Sequence, residues 1–282
     1  MSKITVIGAG TMGHGIAQVA AQAGFEVALF DIKDEFVQKG LSKVNENLAK
    51  GVEKGKVTPA DRDAALARLH PSTDLKSACD GIVLAVEAAP EKIRIKHDIF
   101  EQLDRFSPED AILATNTSSL SVTEIARATK RPSHVCGMHF FNPPHLMKLL
   151  EIVRAADTSD ATVAKAREFA AKFGKDSILV KDAPGFASSR LGVCVGLEAM
   201  RMLEQGVASA EDIDKAMKLG YGFPMGPLEL TDLVGLDVRL DIATYLHTEL
   251  KSEVFRPPEI LKRLVAEGKL GKKSKQGFYK HS

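Results

Sequence analysis

The feature that most constrains the fold is a glycine-rich loop between a short apolar run and an alanine-rich segment. Residues 8–13 read Gly-Ala-Gly-Thr-Met-Gly, which is a G-x-G-x-x-G pattern. The β-branched run 4–7 before it predicts a strand, and residues 16–23 after it predict a helix. In this context the glycines permit a tight turn, a close approach of a pyrophosphate, and packing of the helix on the strand. The pattern predicts a dinucleotide-binding unit; glycines that serve packing alone are the alternative.

An acidic residue lies at the position where this motif has the residue that recognises a ribose. Asp31 follows the second predicted strand, 26–30, about 20 residues beyond the glycines. Its carboxylate can accept hydrogen bonds from both ribose hydroxyls and would repel a 2′-phosphate. We therefore expect NAD rather than NADP as the cofactor, with Lys33 offsetting part of the preference. The loop residues assigned to cofactor binding are Gly8, Gly10, Thr11, Met12 and Gly13.

Apolar runs alternate with helical segments through the first two thirds of the chain. Further strands are predicted at 82–86, 111–115, 134–140 and 177–180, and helices at 34–54, 91–106 and 122–129. Because parallel strands need crossover connections, this alternation predicts a Rossmann-type, doubly wound parallel sheet. After Pro184 the pattern is helical, with helices predicted at 191–204, 210–219, 228–250 and 258–266. The predicted domains are an NAD-binding α/β domain, 1–184, and an all-helical domain, 185–282.

Charge and cysteine content exclude several classes of function. The chain has 38 basic and 37 acidic residues, a net charge of +1, which argues against a nucleic-acid partner. Its three cysteines lie far apart without a CxxC pair, and the spacing of His134, His139 and His145 matches no zinc motif. No apolar run approaches the ~18 residues of a membrane span. We expect no metal, no membrane contact, and a cytoplasmic location that keeps thiols reduced.

Lysines share one face of the long helix predicted at 34–54. On a helical wheel Lys39, Lys43, Lys50 and Lys54 lie together, opposite an apolar face. Such a strip of positive charge could bind a phosphate-bearing ligand. An ordinary solvated helix face is the alternative.

Polar side chains follow two predicted strands at the sheet edge where α/β folds bind ligands. Asn116 and Ser118 follow one strand, while His139 and Asn142 lie at the end of another, twelve and nine residues before Glu151. Oxidising an alcohol by hydride transfer needs a base for the hydroxyl proton, and histidine is the usual choice. A carboxylate on its other ring nitrogen would fix the tautomer and stabilise the imidazolium. Ser118 and Asn142 could hold the substrate oxygen.

Several separated motifs together resemble the 3-hydroxyacyl-CoA dehydrogenases, most closely the short bacterial 3-hydroxybutyryl-CoA dehydrogenases. The resemblance runs from Lys3 to Tyr279. The motifs are residues 8–13, 86–88, 116–120, 137–143, 182–186, 226–227, Asp232 and 277–279.

The resemblance implies a role for each matching position. His139 would be the catalytic base and Glu151 its partner, with Ser118 and Asn142 on the substrate oxygen and the nicotinamide. Further cofactor contacts would come from Asp31, Glu91, Lys96, Asn116 and Lys273. Substrate contacts would come from Asn47, Lys50 and Lys54, which would meet the coenzyme A nucleotide, and from Ser118 and Ser189.

Two positions depart from the family pattern. Ser189 stands before Arg190 where the family usually has asparagine, and Ser274-Lys275-Gln276 replaces a segment that usually carries a glycine and an acid. Because serine offers only one short hydroxyl, the first departure puts the substrate contact and the chain-length preference in question.

The resemblance implies reversible NAD-dependent oxidation of a short (S)-3-hydroxyacyl-CoA to the 3-ketoacyl-CoA, in a cleft between the two domains. The alternatives are a dehydrogenase of a free small hydroxy acid and a non-catalytic NAD-binding protein. A homodimer formed through the helical domain is also implied. Its candidate surface comprises Leu191, Val195, Met200, Met202 and the loop 222–227.

Overall fold

The computed structural model describes residues 2–281, which separate into two compact units between Asp182 and Ala183. The first unit is a sheet with helices packed on it, and the second is helical. The predicted order, a Rossmann-type α/β domain followed by an all-helical domain, is confirmed. Within residues 2–281 no helix has the length and apolar character needed to cross a membrane.

A single eight-stranded sheet organises the first unit, in the order β3-β2-β1-β4-β5-β6-β7-β8. Its strands are β1 (Lys3–Ile7), β2 (Glu26–Phe30), β3 (Leu69–Ser72), β4 (Ile82–Glu87), β5 (Ile112–Thr115), β6 (Val135–Phe140), β7 (Leu149–Arg154) and β8 (Asp176–Lys181). Three central strands, β1, β4 and β5, are almost wholly buried. Their sequences are therefore nearly continuous apolar runs. The strand order reverses between β1 and β4, which makes the crevice at their carboxyl ends the expected ligand site.

The helices of the first unit include three that the apolar pattern did not reveal. They are α1 (Gly13–Gln22), α2 (Asp34–Glu53), α3 (Pro59–Ala67), α4 (Leu75–Ala78), α5 (Ile93–Phe106), α6 (Val122–Ala126) and α7 (Asp160–Lys172). The unpredicted helices are α3, α4 and α7. Of these, α3 and α7 begin after Thr58 and Ser159, whose side chains accept from the amides of Asp61 and Thr162. These are ordinary N-caps, so the start signals were present in the sequence.

One pairing departs from the predicted parallel arrangement of the doubly wound sheet. Strand β7, which was not predicted, runs antiparallel to β6, and β8 then pairs parallel to β7. An antiparallel pair needs only a short turn, and residues 141–148 supply it. Lys175 stabilises this turn by donating from Nζ to the carbonyl oxygens of Pro144 at 2.5 Å and Met147 at 2.7 Å.

The second unit departs from the prediction in two ways. Its helices are α8 (Ser188–Glu204), α9 (Ala210–Gly220), α10 (Pro227–Val234), α11 (Leu236–Leu250) and α12 (Glu259–Ala266). The single helix predicted at 228–250 is broken at Gly235, whose φ of +107° interrupts the helical backbone. Met200, predicted to face a second copy of the chain, is wholly buried in the core of this unit.

Two buried aspartates hold the last residues of the described chain within the second unit. Asp232 accepts from the amides of Phe278 at 2.8 Å and Tyr279 at 2.9 Å, and its Oδ2 pairs with His281 at 2.8 Å. Asp214 accepts from the Tyr279 hydroxyl at 2.8 Å and caps the start of α10 through the amide of Leu228. The segment that carries Lys273 is therefore anchored at its far end by charge-assisted hydrogen bonds.

Candidate functional site

The glycine loop joins β1 to α1 with close backbone packing on one side and open space on the other. Gly8 has a φ of +97°, and a Cβ there would lie 2.7 Å from the carbonyl oxygen of Ala88. A Cβ on Gly13 would overlap the carbonyl oxygen of Gly8. A Cβ on Gly10 would meet no heavy atom within 4 Å, so this side can receive a ligand. No side chain caps α1 at Met12, which leaves its first amides to an anion.

The carboxylate of Asp31 lies beside this loop. Its Oδ2 accepts from the amide of Ala9 at 2.8 Å, and its Oδ1 accepts from the amide of Ile32 at 2.8 Å. An anchored carboxylate at the end of β2 fits the two hydroxyls of a ribose and disfavours a 2′-phosphate. Together with the open loop and the uncapped helix, it forms a set of groups that fits NAD. Thr11 is exposed next to the loop, and Met12 is half-buried.

A buried ion pair lies where β4 ends. Lys96 on α5 and Glu87 on β4 are both almost fully buried, and the lysine Nζ lies 2.8 Å from Oε1 and 3.0 Å from Oε2 of the glutamate. The same carboxylate accepts from the amide of Ala89 at 2.7 Å and the hydroxyl of Thr115 at 2.6 Å. Because both carboxylate oxygens are bonded twice, this buried charge is fully paired.

Lys96 also reaches a second carboxylate, that of Glu91, at 3.3 Å. Oε1 of Glu91 accepts from the hydroxyl of Thr117 at 2.5 Å and from the amide of Ser118 at 3.0 Å. Burial acts to raise the pKa of Glu91, but the charge of Lys96 and these hydrogen bonds outweigh it, so the pKa lies below its usual value. A chain of charges therefore runs from β4 to the loop that carries Ser118.

His139 and Glu151 form a second buried pair. The antiparallel register of β6 and β7 places them directly opposite each other, and His139 Nδ1 lies 2.7 Å from Glu151 Oε2. His139 is 5% exposed and Glu151 is 0% exposed. Pairing at Nδ1 orients the imidazole and assigns Nε2 as the nitrogen that can exchange a proton with a ligand.

The remaining polar residues at this sheet edge occupy different positions. Asn116 accepts from the Phe140 amide at 2.8 Å through Oδ1 and so ties the ends of β5 and β6 together. Asn142 is exposed in the turn after β6, and Ser118 is half-buried. A Cβ on Gly15 would lie 2.7 Å from the ring of Pro144, so this turn packs on α1 just behind the glycine loop. The first unit thus brings the loop, Asn142 and the histidine to one edge.

The lysine face of α2 is less positive than predicted. Lys39, Lys43, Lys50 and Lys54 are all exposed, but Glu46 lies on the same face and pairs with Lys43 at 2.7 Å. The expectation of a coherent positive strip is wrong because the wheel omitted this acid. The two lysines at the carboxyl end of α2, Lys50 and Lys54, form no ion pair with the described residues.

Four further residues predicted to make contacts are buried, belong to the second unit or already have a partner in the chain. Asn47 donates to Gln18 Oε1 on α1 at 3.3 Å. Ser189 is half-buried in the first turn of α8, and Lys273 pairs with Asp237 at 2.6 Å; both belong to the second unit. Lys96 is too buried to be an exposed cofactor contact, which suits it to anchoring Glu91 instead.

Similarity to known proteins decides the family. One family model, the NAD binding domain of 3-hydroxyacyl-CoA dehydrogenase, matches residues 3–183, and another, the C-terminal domain of the same enzyme, matches residues 185–281. The chain belongs to the 3-hydroxyacyl-CoA dehydrogenase family. The resemblance inferred from the motifs is therefore confirmed. The expectation that the chain is an NAD-dependent oxidoreductase is confirmed as well.

Individual 3-hydroxyacyl-CoA dehydrogenases match along nearly the whole chain. A protein of Deinococcus radiodurans named a probable 3-hydroxybutyryl-CoA dehydrogenase is 46% identical, over 99% of this chain and 100% of its own. The mitochondrial hydroxyacyl-coenzyme A dehydrogenase of Sus scrofa is 43% identical, over 100% of this chain and 91% of its own. The crystal structure of (S)-3-hydroxybutyryl-CoA dehydrogenase from Ralstonia eutropha has a TM-score of 0.95 and 41% identity, covering 100% of this chain and 99% of that one.

Two anchoring residues of this 3-hydroxyacyl-CoA dehydrogenase lie within the motifs 86–88 and 182–186, but the sequence analysis assigned them no role. Glu87 ends an otherwise apolar strand, and a lone acid in such a run was a usable signal for a buried ion pair. Asp182 accepts from the Ser121 hydroxyl at 2.8 Å and from the amides of Val122 at 3.1 Å and Thr123 at 2.8 Å. It therefore holds the start of α6, directly after the loop that carries Ser118.

Replacing Glu87 tests the buried ion pair. Glu87→Gln should lower the free energy of unfolding by about 3 kcal/mol, because the buried Lys96 would lose its buried counter-charge and keep only Glu91, at 3.3 Å. Adding Lys96→Met should recover part of this loss, with a coupling of about 1 kcal/mol or more. Urea unfolding followed by circular dichroism measures both. Glu101→Gln, at an exposed position of α5, is the control, and a Glu87→Gln loss no larger than this one would contradict the assignment.

Proposed function

We propose that this enzyme catalyses the reversible oxidation of short (S)-3-hydroxyacyl-CoA thioesters, above all 3-hydroxybutyryl-CoA, to the 3-ketoacyl-CoA. The supporting observation is the buried contact of 2.7 Å between His139 Nδ1 and Glu151 Oε2, at the sheet edge that carries the glycine loop. Relatives that are named 3-hydroxybutyryl-CoA dehydrogenases and match nearly the whole chain support the same substrate.

In the proposed mechanism His139 is the general base. Its Nε2 takes the proton from the 3-hydroxyl group as the C3 hydride leaves, and the carboxylate of Glu151 stabilises the imidazolium that results. NAD⁺, when bound, supplies the hydride acceptor. Ser118 and Asn142 hold the substrate oxygen, and the Glu91 contacts fix the loop on which Ser118 lies. In the reverse direction the same imidazolium returns the proton to the 3-keto oxygen.

The phosphates of coenzyme A are assigned to the carboxyl end of α2. Lys50 and Lys54 are one turn apart and exposed there, and Asn47 precedes them by one turn. Ammonium groups that form no ion pair with residues 2–281 can bind phosphate without first breaking such a pair. Lys43, in contrast, is already paired with Glu46. Ser189 is assigned to the acyl portion of the substrate.

The proposed assembly is a homodimer formed through the helical unit. Leu191, Leu219, Tyr221 and Leu233 are apolar side chains of this unit that are at least half exposed. Exposed apolar side chains of this number suit a self-complementary interface.

Replacing His139 tests the proposed base. With acetoacetyl-CoA and NADH, His139→Gln should lower kcat by about 10²–10⁴-fold, because an amide cannot exchange the proton. Binding of NADH, followed by its fluorescence, should persist. His134→Gln is a matched control, since His134 lies outside the site. Equal kcat in both variants, or turnover of free acetoacetate as fast as of the thioester, would contradict the proposal.

Replacing Lys54 tests the coenzyme A contact. Lys54→Ala should raise KM for acetoacetyl-CoA about fivefold, the equivalent of about 1 kcal/mol for one exposed phosphate contact, with little change in kcat. Lys39→Ala is the control, because Lys39 lies fifteen residues, about 22 Å, away along the helix. An equal change of KM in the two variants would contradict the assignment of Lys54 to the coenzyme A site.

Light scattering tests the assembly. The enzyme should elute with about twice the 30.4 kDa mass of one chain. Leu219→Asp should shift it toward the monomer, whereas Leu146→Asp, an exposed apolar position in the first unit, should leave the mass unchanged. A wild-type mass of a single chain would refute the dimer.

A further inference from the structure

Three basic side chains meet where the turn between β6 and β7 packs on α1. His145 lies on this turn, His14 in the first turn of α1, and Lys175 directly before β8. The packing is close, since a Cβ on Gly15 would lie 2.7 Å from the ring of Pro144, whose carbonyl oxygen accepts from Lys175. The charged groups that act on His145 are His14 and Lys175, which are both basic. The proposed function assigns no role to any of the three.

Both histidines can offer Nε2 to a ligand. His14 Nδ1 lies 2.8 Å from the carbonyl oxygen of Gly10, so Nδ1 donates to the backbone and Nε2 is left. Neither ring nitrogen of His145 forms a hydrogen bond with residues 2–281, and because Nδ1 is buried, Nε2 is the atom within reach. Burial, together with His14 and Lys175, lowers the pKa of His145, so this ring is mainly neutral at neutral pH. An anion beside it would favour the protonated ring.

The helices α1 and α2 run side by side in the same direction. A Cβ on Gly40 of α2 would lie 2.9 Å from the carbonyl oxygen of Ala9, just before α1. Farther along both helices, Asn47 donates to Gln18 at 3.3 Å. Because His14 lies between Ala9 and Gln18, it is level with the stretch of α2 between these two contacts.

The two histidines therefore lie between the proposed base and the lysines assigned to coenzyme A. His139 is near the end of β6, and the turn that carries His145 follows it and packs beside His14. Lys50 and Lys54 lie beyond the contact of α2 with α1, by about 5 and 10 Å along the helix axis. A coenzyme A thioester has its groups in the same order: the reacting acyl group, the pantetheine arm, the diphosphate and the ribose 3′-phosphate. This order aligns the diphosphate with the histidines.

The charges around the two histidines favour an anion. Glu46 on α2 is near enough to His14 for their charges to interact, but its carboxylate is already paired with Lys43 at 2.7 Å. Lys50, on the same side of α2, acts on Glu46 as well. Protonated rings of His14 and His145 thus form a site of positive charge that the anion of a ligand would stabilise.

The oxygens of a diphosphate only accept hydrogen bonds, and Nε2 of the neutral His14 ring also only accepts, because Nδ1 carries the proton. Binding therefore requires protonation. We propose that His14 and His145, in protonated form, bind the diphosphate of the acyl-CoA substrate, which leaves the ribose 3′-phosphate to Lys50 and Lys54 and couples thioester binding to proton uptake. This inference rests on the proposed function, which supplies the positions of the acyl group and of the coenzyme A lysines.

Two substrate analogues isolate the diphosphate. Acetoacetyl-dephospho-CoA retains it and lacks the 3′-phosphate, whereas S-acetoacetylpantetheine lacks both. The readout is the ratio of kcat/KM for the first thioester to kcat/KM for the second, in which effects on the chemical step cancel. At about pH 6, where histidine is mostly charged, His145→Gln should lower this ratio about fivefold, the loss of one charge-assisted hydrogen bond. His134→Gln is the matched control and should keep the wild-type ratio.

The pH profile of this ratio tests the proton uptake. In the wild type it should rise as the pH falls from about 8 to about 6, because the two rings gain charge there. Neither analogue carries a phosphate monoester, so no phosphate group of the substrate titrates in this range. The rise should be smaller in His14→Gln and in His145→Gln and absent when both are combined. A flat profile in the wild type, which requires no variant to fold, would overturn the proposal.

The remaining arms distinguish the sources of the phosphate. Lys54→Ala should lower kcat/KM for acetoacetyl-CoA and leave that for acetoacetyl-dephospho-CoA unchanged; an equal fall would overturn the division of the phosphates. NADH also carries a diphosphate, so weaker NADH binding in His14→Gln and His145→Gln with an unchanged ratio would assign the histidines to the cofactor and overturn the proposal. Absence of acetoacetyl-CoA reduction by the wild type would overturn the proposed function, whereas intact reduction with an unchanged ratio overturns this inference alone.

Discussion

The buried contact between Glu87 and Lys96 holds together the sheet edge on which the site is built. Placing two charges where water is excluded is costly, and only complete hydrogen bonding offsets that cost. Glu87 meets this condition with partners from α5, from β5 and from its own loop, while its backbone oxygen accepts from Asn116 at 2.7 Å. The ends of neighbouring strands are thereby fixed relative to one another before any ligand arrives.

Three other carboxylates use this fixed edge in different ways. Asp31 is held by two backbone amides, which fix its position beside the glycine loop. Glu91 accepts hydrogen bonds from a hydroxyl and from backbone amides of the loop that follows β5. Glu151 pairs with an imidazole instead, so its charge acts on a group that can gain and lose a proton. The same chemical group thus serves ligand recognition, loop positioning and proton exchange, according to the donor that faces it.

Much of this arrangement could be predicted from the sequence. The second strand was predicted with the bounds that the structure shows, because its apolar run is bordered by turn residues. Strand β7 was not predicted, because its apolar run follows a Pro-Pro turn and lacks the helical crossover that marks a parallel strand. The break at Gly235 was not predicted either, since a glycine within a helical pattern is often tolerated. The pairing of Glu46 with Lys43 was readable from the sequence, because the two residues lie three apart on one face of the same helix. The burial of Met200 and Arg239 depends on tertiary packing, which one helical wheel cannot supply.

The antiparallel pairing of β6 and β7 makes the His139–Glu151 contact depend on strand register. Side chains alternate between the two faces of a strand, so a slip of one residue would bring Leu150 or Ile152 opposite His139 and turn Glu151 to the other face. The sheet would keep its backbone hydrogen bonds, and the imidazole would face a hydrocarbon side chain in place of an anion. Such a misaligned molecule would be folded, compact and able to bind a dinucleotide, yet without a base. Loss of activity through a register error would therefore escape every assay of folding and would be detected only by following the chemistry itself.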